Sequence, residues 1–294
     1  MQTERKPRVI TIYLSKGGVA KSTLAALIAT FLAGLGFRVV ILDLDRQGAQ
    51  SEIFDLIDER GQAEVLHAVL KRHVSVREAL TPIDGSLLPT FKDHTPGTLA
   101  LVQGGAQTRL AIDDIRQNPV RYGIADTLDL VRGIVRDLAG CTDFVVMDMG
   151  PSDEASALAG LVATDELLIP TKTDYTSVTR LAPVLGEVQV ARQVQPDLNI
   201  LGIVPVMTGY YFGRLRQSKS TLIGKQFLEE NYADLLFRDK RGSMVDLPYD
   251  DAWPSAMWAG QTIFSGEVPD KIQTDALRFL NAVGGWLGVE EVKR

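Results

Sequence analysis

Apolar positions along the chain follow two periods. Short runs rich in β-branched residues, at 8–12, 38–42, 99–102, 144–147, 166–170 and 199–207, read as strands. Between them the spacing turns helical. Leu24, Leu27, Ile28, Phe31, Leu32 and Leu35 make one stripe, and Leu128, Val131, Ile134, Val135 and Leu138 another. Val178, Leu181, Leu185 and Val188 predict a helix over about 176–194, and Ile272, Leu277, Phe279, Leu280, Val283 and Trp286 one over about 271–287. Strands alternating with helices predict an α/β fold, a mostly parallel sheet flanked by helices. Residues 51–80 predict short surface helices, and 86–88 one short strand in a Pro/Gly-rich loop. Residues 106–122 are polar and take no assignment. No repeat, low-complexity tract or linker divides the chain, so a single domain over 1–294 is expected.

The junction of the first strand and first helix reads Ser15-Lys16-Gly17-Gly18-Val19-Ala20-Lys21-Ser22-Thr23. Glycines let a backbone approach an anion closely, successive N–H groups can converge on it, and a helix N-terminus adds about half a positive charge. Lys21 is placed to neutralise β/γ-phosphates, and the Ser22 hydroxyl to bind Mg²⁺. Ser15 and Ala20 stand where the general phosphate-loop pattern has its outer glycines. The alternative, a glycine-rich turn that merely ends a strand, does not explain the ordered strand, turn, lysine, hydroxyl and helix.

Two further strands end in carboxylates. The second closes on Asp43-Leu44-Asp45, and a later one on Asp148 in Asp148-Met149-Gly150-Pro151-Ser152. In open α/β sheets ligands bind beyond the carboxyl ends of the strands. Asp43, Asp45 and Asp148 are therefore expected beside the phosphate loop, as metal or water-shell ligands, with Gly150 near the γ-phosphate. Taken singly, either acidic end is ordinary turn chemistry.

With its paired lysines, Lys16-Gly17-Gly18-Val19-Ala20-Lys21-Ser22 resembles the deviant Walker A loop of the ParA/MinD family of partition and positioning ATPases. The resemblance runs on through Asp43-Leu44-Asp45-Arg46-Gln47-Gly48, similar to the family's Asp-x-Asp-Pro-Gln segment with Arg46 for the proline, and through Asp148, Walker B-like with Gly150 for a proline. Thr171-Lys172-Thr173-Asp174 resembles a further turn of the family. The resemblance implies a P-loop NTPase fold, with ATP and Mg²⁺ as cofactors. Residues 16–23 (Lys16, Gly17, Gly18, Val19, Ala20, Lys21, Ser22 and Thr23) and Asp148 would hold the nucleotide. Ser22, Asp43, Asp45 and Asp148 would hold the metal, and Lys16, Lys21 and Asp45 would carry catalysis. Asp45 would position the hydrolytic water, residues 153–157 would sense the γ-phosphate, and Lys16 would reach the nucleotide of a second copy in an ATP-dependent sandwich homodimer. It further implies non-specific DNA as a partner, a stimulating protein of the ParB type, slow hydrolysis and a role in plasmid, chromosome or cargo partition. A nucleotide-holding adaptor with weak hydrolysis, suggested by Ser15, Ala20 and Arg46, and a MinD-like positioning role stay open.

Charge bears on the DNA question. The chain has 31 basic against 37 acidic residues, net −6, which excludes a globally basic nucleic-acid binder but leaves room for a local patch. From 211 to 241 seven basic residues, Arg214, Arg216, Lys219, Lys225, Arg238, Lys240 and Arg241, face four acidic ones. They are the candidate DNA surface, against the plainer reading of a solvated helical face. Asp250 and Asp251 lie where relatives carry an arginine-bearing segment and would repel DNA. Cys141 is the sole cysteine, so a disulfide framework is excluded, as is the four-thiolate cluster of nitrogenase-type reductases even across a dimer. His67, His73 and His94 show no ligand spacing. The N-terminus lacks a signal-peptide core and the last helix ends acidic, so the expectation is cytoplasmic, nucleoid-associated if DNA binds, with no membrane partner.

Overall fold

The computed structural model describes residues 5–58, 61–62, 65–151, 154–211, 216–248, 263–264, 268–289 and 291–292. Eight strands form the central sheet: β1 (Arg8–Ile12), β2 (Arg38–Asp43), β3 (Thr81–Pro82), β4 (Thr98–Val102), β5 (Phe144–Asp148), β6 (Glu166–Thr171), β7 (Asn199–Thr208) and β8 (Leu247–Pro248). Their order is β8-β7-β6-β1-β5-β2-β4-β3, and every pairing is parallel except β3 with β4 at one edge.

The helices are α1 (Lys21–Gly34), α2 (Ala49–Ile53), α3 (Leu66–Leu70), α4 (Ala106–Gln117), α5 (Asp129–Asp137), α6 (Glu154–Leu161), α7 (Tyr175–Val178), α8 (Leu181–Ala191), α9 (Lys219–Tyr232) and α10 (Asp270–Leu287). Strand side chains alternate between two cores, as a sheet covered on both faces requires. Ile10, Ile12, Val39, Ile41 and Val146 pack with α1, α8 and α10; Val9, Val40, Leu42, Val145 and Met147 pack with α3, α4 and α5. The cost of leaving the central strands without such cover is large, since each buried Val, Leu or Ile side chain contributes about 1.5–3 kcal/mol.

The parity of the strands aims the chemistry. Asp43 follows Val39 and Ile41 at even spacing, and Asp148 follows Phe144 and Val146, so both carboxylates lie on the face that α1 covers. Asp43 and Asp148 are also directly paired across β2 and β5.

Several elements depart from the expectations. Residues 85–87 form a single 3-10 turn, because the Asp84 carboxylate accepts the Ser86 amide; the short edge strand lies earlier, at β3. The helix expected over 176–194 is two, α7 and α8. Residues 66, 69 and 70 of the expected surface helices are buried in the second core. Residues 106–117 are helical, with Thr108, Ala111 and Ile115 inward and Ile112 packed beside them; a threonine inside and Leu110 outside blur the period in sequence. Asp153, Asp250 and Asp251 lie outside the described residues.

Candidate functional site

The loop between β1 and α1 carries two left-handed residues, Gly18 at φ 68° and Ala20 at φ 57°, ψ 26°. Glycine tolerates this; an alanine there is strained, by about 1–2 kcal/mol. The conformation starts α1 at Lys21 and leaves the helix without a side-chain cap at its first turn. Orphan N–H groups of that turn are thus available to an anion. Lys21 is 5% exposed, and its amine donates to the Lys16 carbonyl at 2.6 Å, across the loop. Burial lowers its pKa, and the charges of Asp148 and Asp45 oppose that fall.

The three carboxylates differ in what they touch. Asp43 is fully buried, and both of its oxygens accept backbone amides, Oδ1 from Asp45 at 3.0 Å and Oδ2 from Gln50 at 3.2 Å. Asp43, expected as a metal ligand, also shapes the loop from β2 into α2 through these two bonds. Burial, then the neighbouring Asp148 charge, holds its pKa well above the usual range. Asp148 is likewise fully buried and raised by burial, against hydrogen bonds from the Ser22 hydroxyl and Gln50. Asp45 accepts the Gln47 amide at 3.0 Å and lies against Gly150, where a Cβ would stand 2.5 Å from its carboxylate. Gly150, which replaces a proline of the family pattern, makes room for that carboxylate. Gly104, after β4, similarly closes on the Asp43 carbonyl, too tightly for any Cβ.

Gln50 is the residue that sequence reading misses here. Its Nε2 donates to the Ser22 carbonyl at 3.0 Å and to Asp148 Oδ2 at 2.8 Å. The one signal in the sequence is its place five residues after Asp45, at the start of α2. Two oxygens at this junction, Asp148 Oδ1 and Gln50 Oε1, are buried without a hydrogen-bond partner. Unpartnered oxygens beside a serine hydroxyl suit Mg²⁺, which takes one or two carboxylates and completes its shell with water and substrate phosphates. No group of three or more His, Cys, Asp or Glu able to hold a metal alone occurs among the described residues.

Lys16 is turned onto its own chain. Its Nζ donates to Thr176 Oγ1 at 2.6 Å and Ser177 Oγ at 2.8 Å and pairs with Asp174 Oδ1 at 3.2 Å. Asp174 caps α7, accepting the Ser177 amide at 2.9 Å. The Nζ of Lys172 lies 3.9 Å from where a side chain at Gly18 would begin, a third amine beside the loop.

The seven expected DNA contacts differ in their surroundings. Arg214 lies outside the described residues, and Arg216 pairs through its backbone with Tyr211 in a short ribbon. Lys225 is buried and bonds Asp246 at 2.8 Å, so it is not a surface cation. Arg238 bonds Glu229 at 2.7 Å and the Gly242 carbonyl at 3.1 Å. Lys219, Lys240 and Arg241 are exposed. Among the described residues no helix is long and apolar enough to cross a membrane.

Strand, left-handed loop, buried lysine and the acidic ends of two adjoining strands define a P-loop fold of the α/β class. The AAA domain family (AAA_31) matches residues 7–200. The chain belongs to this family, as a ParA/MinD-type partition ATPase relative. It is 29% identical over 240 residues to the chromosome-partitioning ATPase Soj of Thermus thermophilus, covering 80% of this chain and 83% of that one. Its fold is similar to the ATP complex of Cyanothece McdA, TM-score 0.76 at 18% identity over 98% of this chain and 99% of that one. It is also similar to cobyrinic acid a,c-diamide synthase of Mycobacterium smegmatis with bound ATP analogue and magnesium, TM-score 0.70 at 20% identity over 97% and 98%.

Proposed function

We propose that this protein is a slow ATP-hydrolysing switch of the ParA type. It would dimerise around two ATP molecules, bind DNA without sequence preference, and partition a plasmid, chromosome or other cargo in response to a ParB-type partner, on the nucleoid. The observation that carries the reading is the convergence of Lys21, Ser22 and Asp148 on one strand-end cluster in a chain of this family.

In this reading residues 16–23 wrap the phosphates, and Lys21 offsets their charge. Ser22 and Asp148 hold Mg²⁺, which would neutralise charge developing on the phosphoryl oxygens. Asp45, kept close by Gly150, orients the attacking water, a role that elsewhere contributes about 10²–10⁴-fold. Lys16 exchanges its own-chain partners for the nucleotide of the other copy. A charge supplied in this way is worth about 10³–10⁵-fold in related phosphoryl transfers. Lys219, Lys240 and Arg241 remain as DNA contacts.

Gel filtration with ATP and Mg²⁺, beside phosphate release by wild type and Asp45→Ala, tests the proposal. A dimer formed only with triphosphate, and release reduced about 100-fold in the variant, support it. A monomer under all conditions removes the sandwich. Equal release by the two proteins supports the adaptor reading, which the strained Ala20 in the loop favours.

A further inference from the structure

Gln50 is fully buried in a place where a polar side chain needs a reason. A buried amide has two donors and two acceptor positions to satisfy, and each left bare costs about 1–3 kcal/mol. The donor end is used completely, on the Ser22 carbonyl and Asp148 Oδ2. The Ser22 carbonyl can only accept, which settles which end of the amide is nitrogen. The carbonyl end has no partner. Meanwhile the backbone amide of Gln50 donates to Asp43 Oδ2 at 3.2 Å, which ties the start of α2 to the end of β2.

One side chain therefore touches both halves of the phosphate–metal junction, the first turn of α1 and the acidic end of β5. Its grip on Asp148 is one-sided: Oδ2 is engaged, and Oδ1 is left bare in the same buried pocket. A leucine of similar size would fill the same space but take the donor from the Ser22 carbonyl and Asp148 Oδ2, so this position calls for an amide and not for packing alone.

We propose that Gln50 is the positioning residue for the divalent cation. By holding Asp148 Oδ2 it would keep Oδ1 free for the cation or its water, and its own Oε1 would be free to accept from such a water. The proposal rests on the nucleotide reading above. Residues that hold a metal's ligands in place typically change metal affinity by about 10–100-fold when removed.

The test is a titration of a fluorescent ATP analogue against the full chain, with EDTA and then across a Mg²⁺ series. It uses wild type, Gln50→Leu and Gln50→Met, the last keeping volume and flexibility. We expect both variants to bind the analogue in EDTA within about three-fold of wild type, and their half-saturating Mg²⁺ to rise about 10–100-fold. A Gln50→Met protein that melts with wild type and needs no more Mg²⁺ than wild type overturns the proposal. Equal weakening with and without Mg²⁺ also overturns it, showing Gln50 to be only a tie between α1 and β5. If wild type binds no analogue in either condition, it is the nucleotide reading that fails.

Discussion

The Lys16 amine and the Asp174 carboxylate, 158 residues apart in sequence, meet at 3.2 Å at the start of α7. Thr176 and Ser177 complete the arrangement, each hydroxyl accepting from Lys16 and donating to Asp174. The pair is partly open to solvent, at 26% and 46% side-chain exposure, so its net contribution is about 0.2–1 kcal/mol. An interaction that weak can be exchanged for a phosphate. Lys16→Ala should therefore shift the melting temperature by no more than about 4 °C while abolishing ATP-dependent dimerisation in gel filtration. A large drop in melting temperature would make Lys16 a structural residue instead.

Asp174 also gives the fold a pH signature. Burial raises its pKa, but hydrogen bonds from Thr176, Ser177 and Lys16 outweigh that and hold it well below the usual carboxylate range. The unfolded chain takes up this proton first, so the stabilisation is complete above the ordinary value of about 3.9 and is lost as pH falls through and below it. Asp174→Asn should flatten the fall in melting temperature between about pH 5 and pH 3 relative to wild type. Parallel curves for the two proteins would show that the interaction is too solvated to count.

Gly150 leaves no space for a side chain, because Asp45 occupies it. Gly150→Ala should cost about 1–3 kcal/mol through overpacking and cut phosphate release at least about ten-fold by displacing Asp45. Urea unfolding and single-turnover release measure the two effects separately. Wild-type rates in a destabilised variant would place Asp45 outside the reaction.

Ala20 adopts φ 57° at the point where the general phosphate-loop pattern has glycine. Ala20→Gly should relieve the strain, offset in part by the added freedom of the unfolded chain, for a net gain up to about 1 kcal/mol. Ala20→Val, β-branched, should lose more than about 1 kcal/mol. A gain on valine substitution in urea unfolding would contradict the left-handed loop.

Lys225 and the exposed pair Lys240 and Arg241 separate folding from the proposed DNA binding. Lys225→Ala takes the ammonium away from the Asp246 carboxylate, which is 11% exposed and keeps the Thr208 hydroxyl, and should cost about 3–5 kcal/mol. Lys240→Ala with Arg241→Ala should leave stability nearly unchanged and lower the salt slope of DNA binding by about 0.9 for each phosphate no longer neutralised. An unchanged slope in a DNA-binding protein would move the surface elsewhere.

The parts of this site that can be read in sequence are those where neighbouring residues carry the information. An apolar run that ends in aspartate is visible in a line of text, and the parity of that run already aims Asp43 and Asp148 at one face. The partners of Lys16 are not visible, since only the β1–β6 pairing brings residue 174 to residue 16. Gln50 escapes notice because a glutamine on a short helix reads as solvated, and its burial is set by strands that flank it from outside. Lys225 misleads for the converse reason: composition counts a charge without showing that Asp246, 21 residues on, folds back against it. The split of α7 from α8 is hidden because Val178 and Leu181 keep helical spacing across the break.

The shared rung of Asp43 and Asp148 restricts how this protein can vary. Adding or removing one residue inside β2 would rotate Asp43 through the sheet to the side covered by α3, α4 and α5, severing it from the amide of Gln50. Length changes should therefore be tolerated in exposed connections such as the turn at 240–242, and be damaging within the two strands that bear the acids.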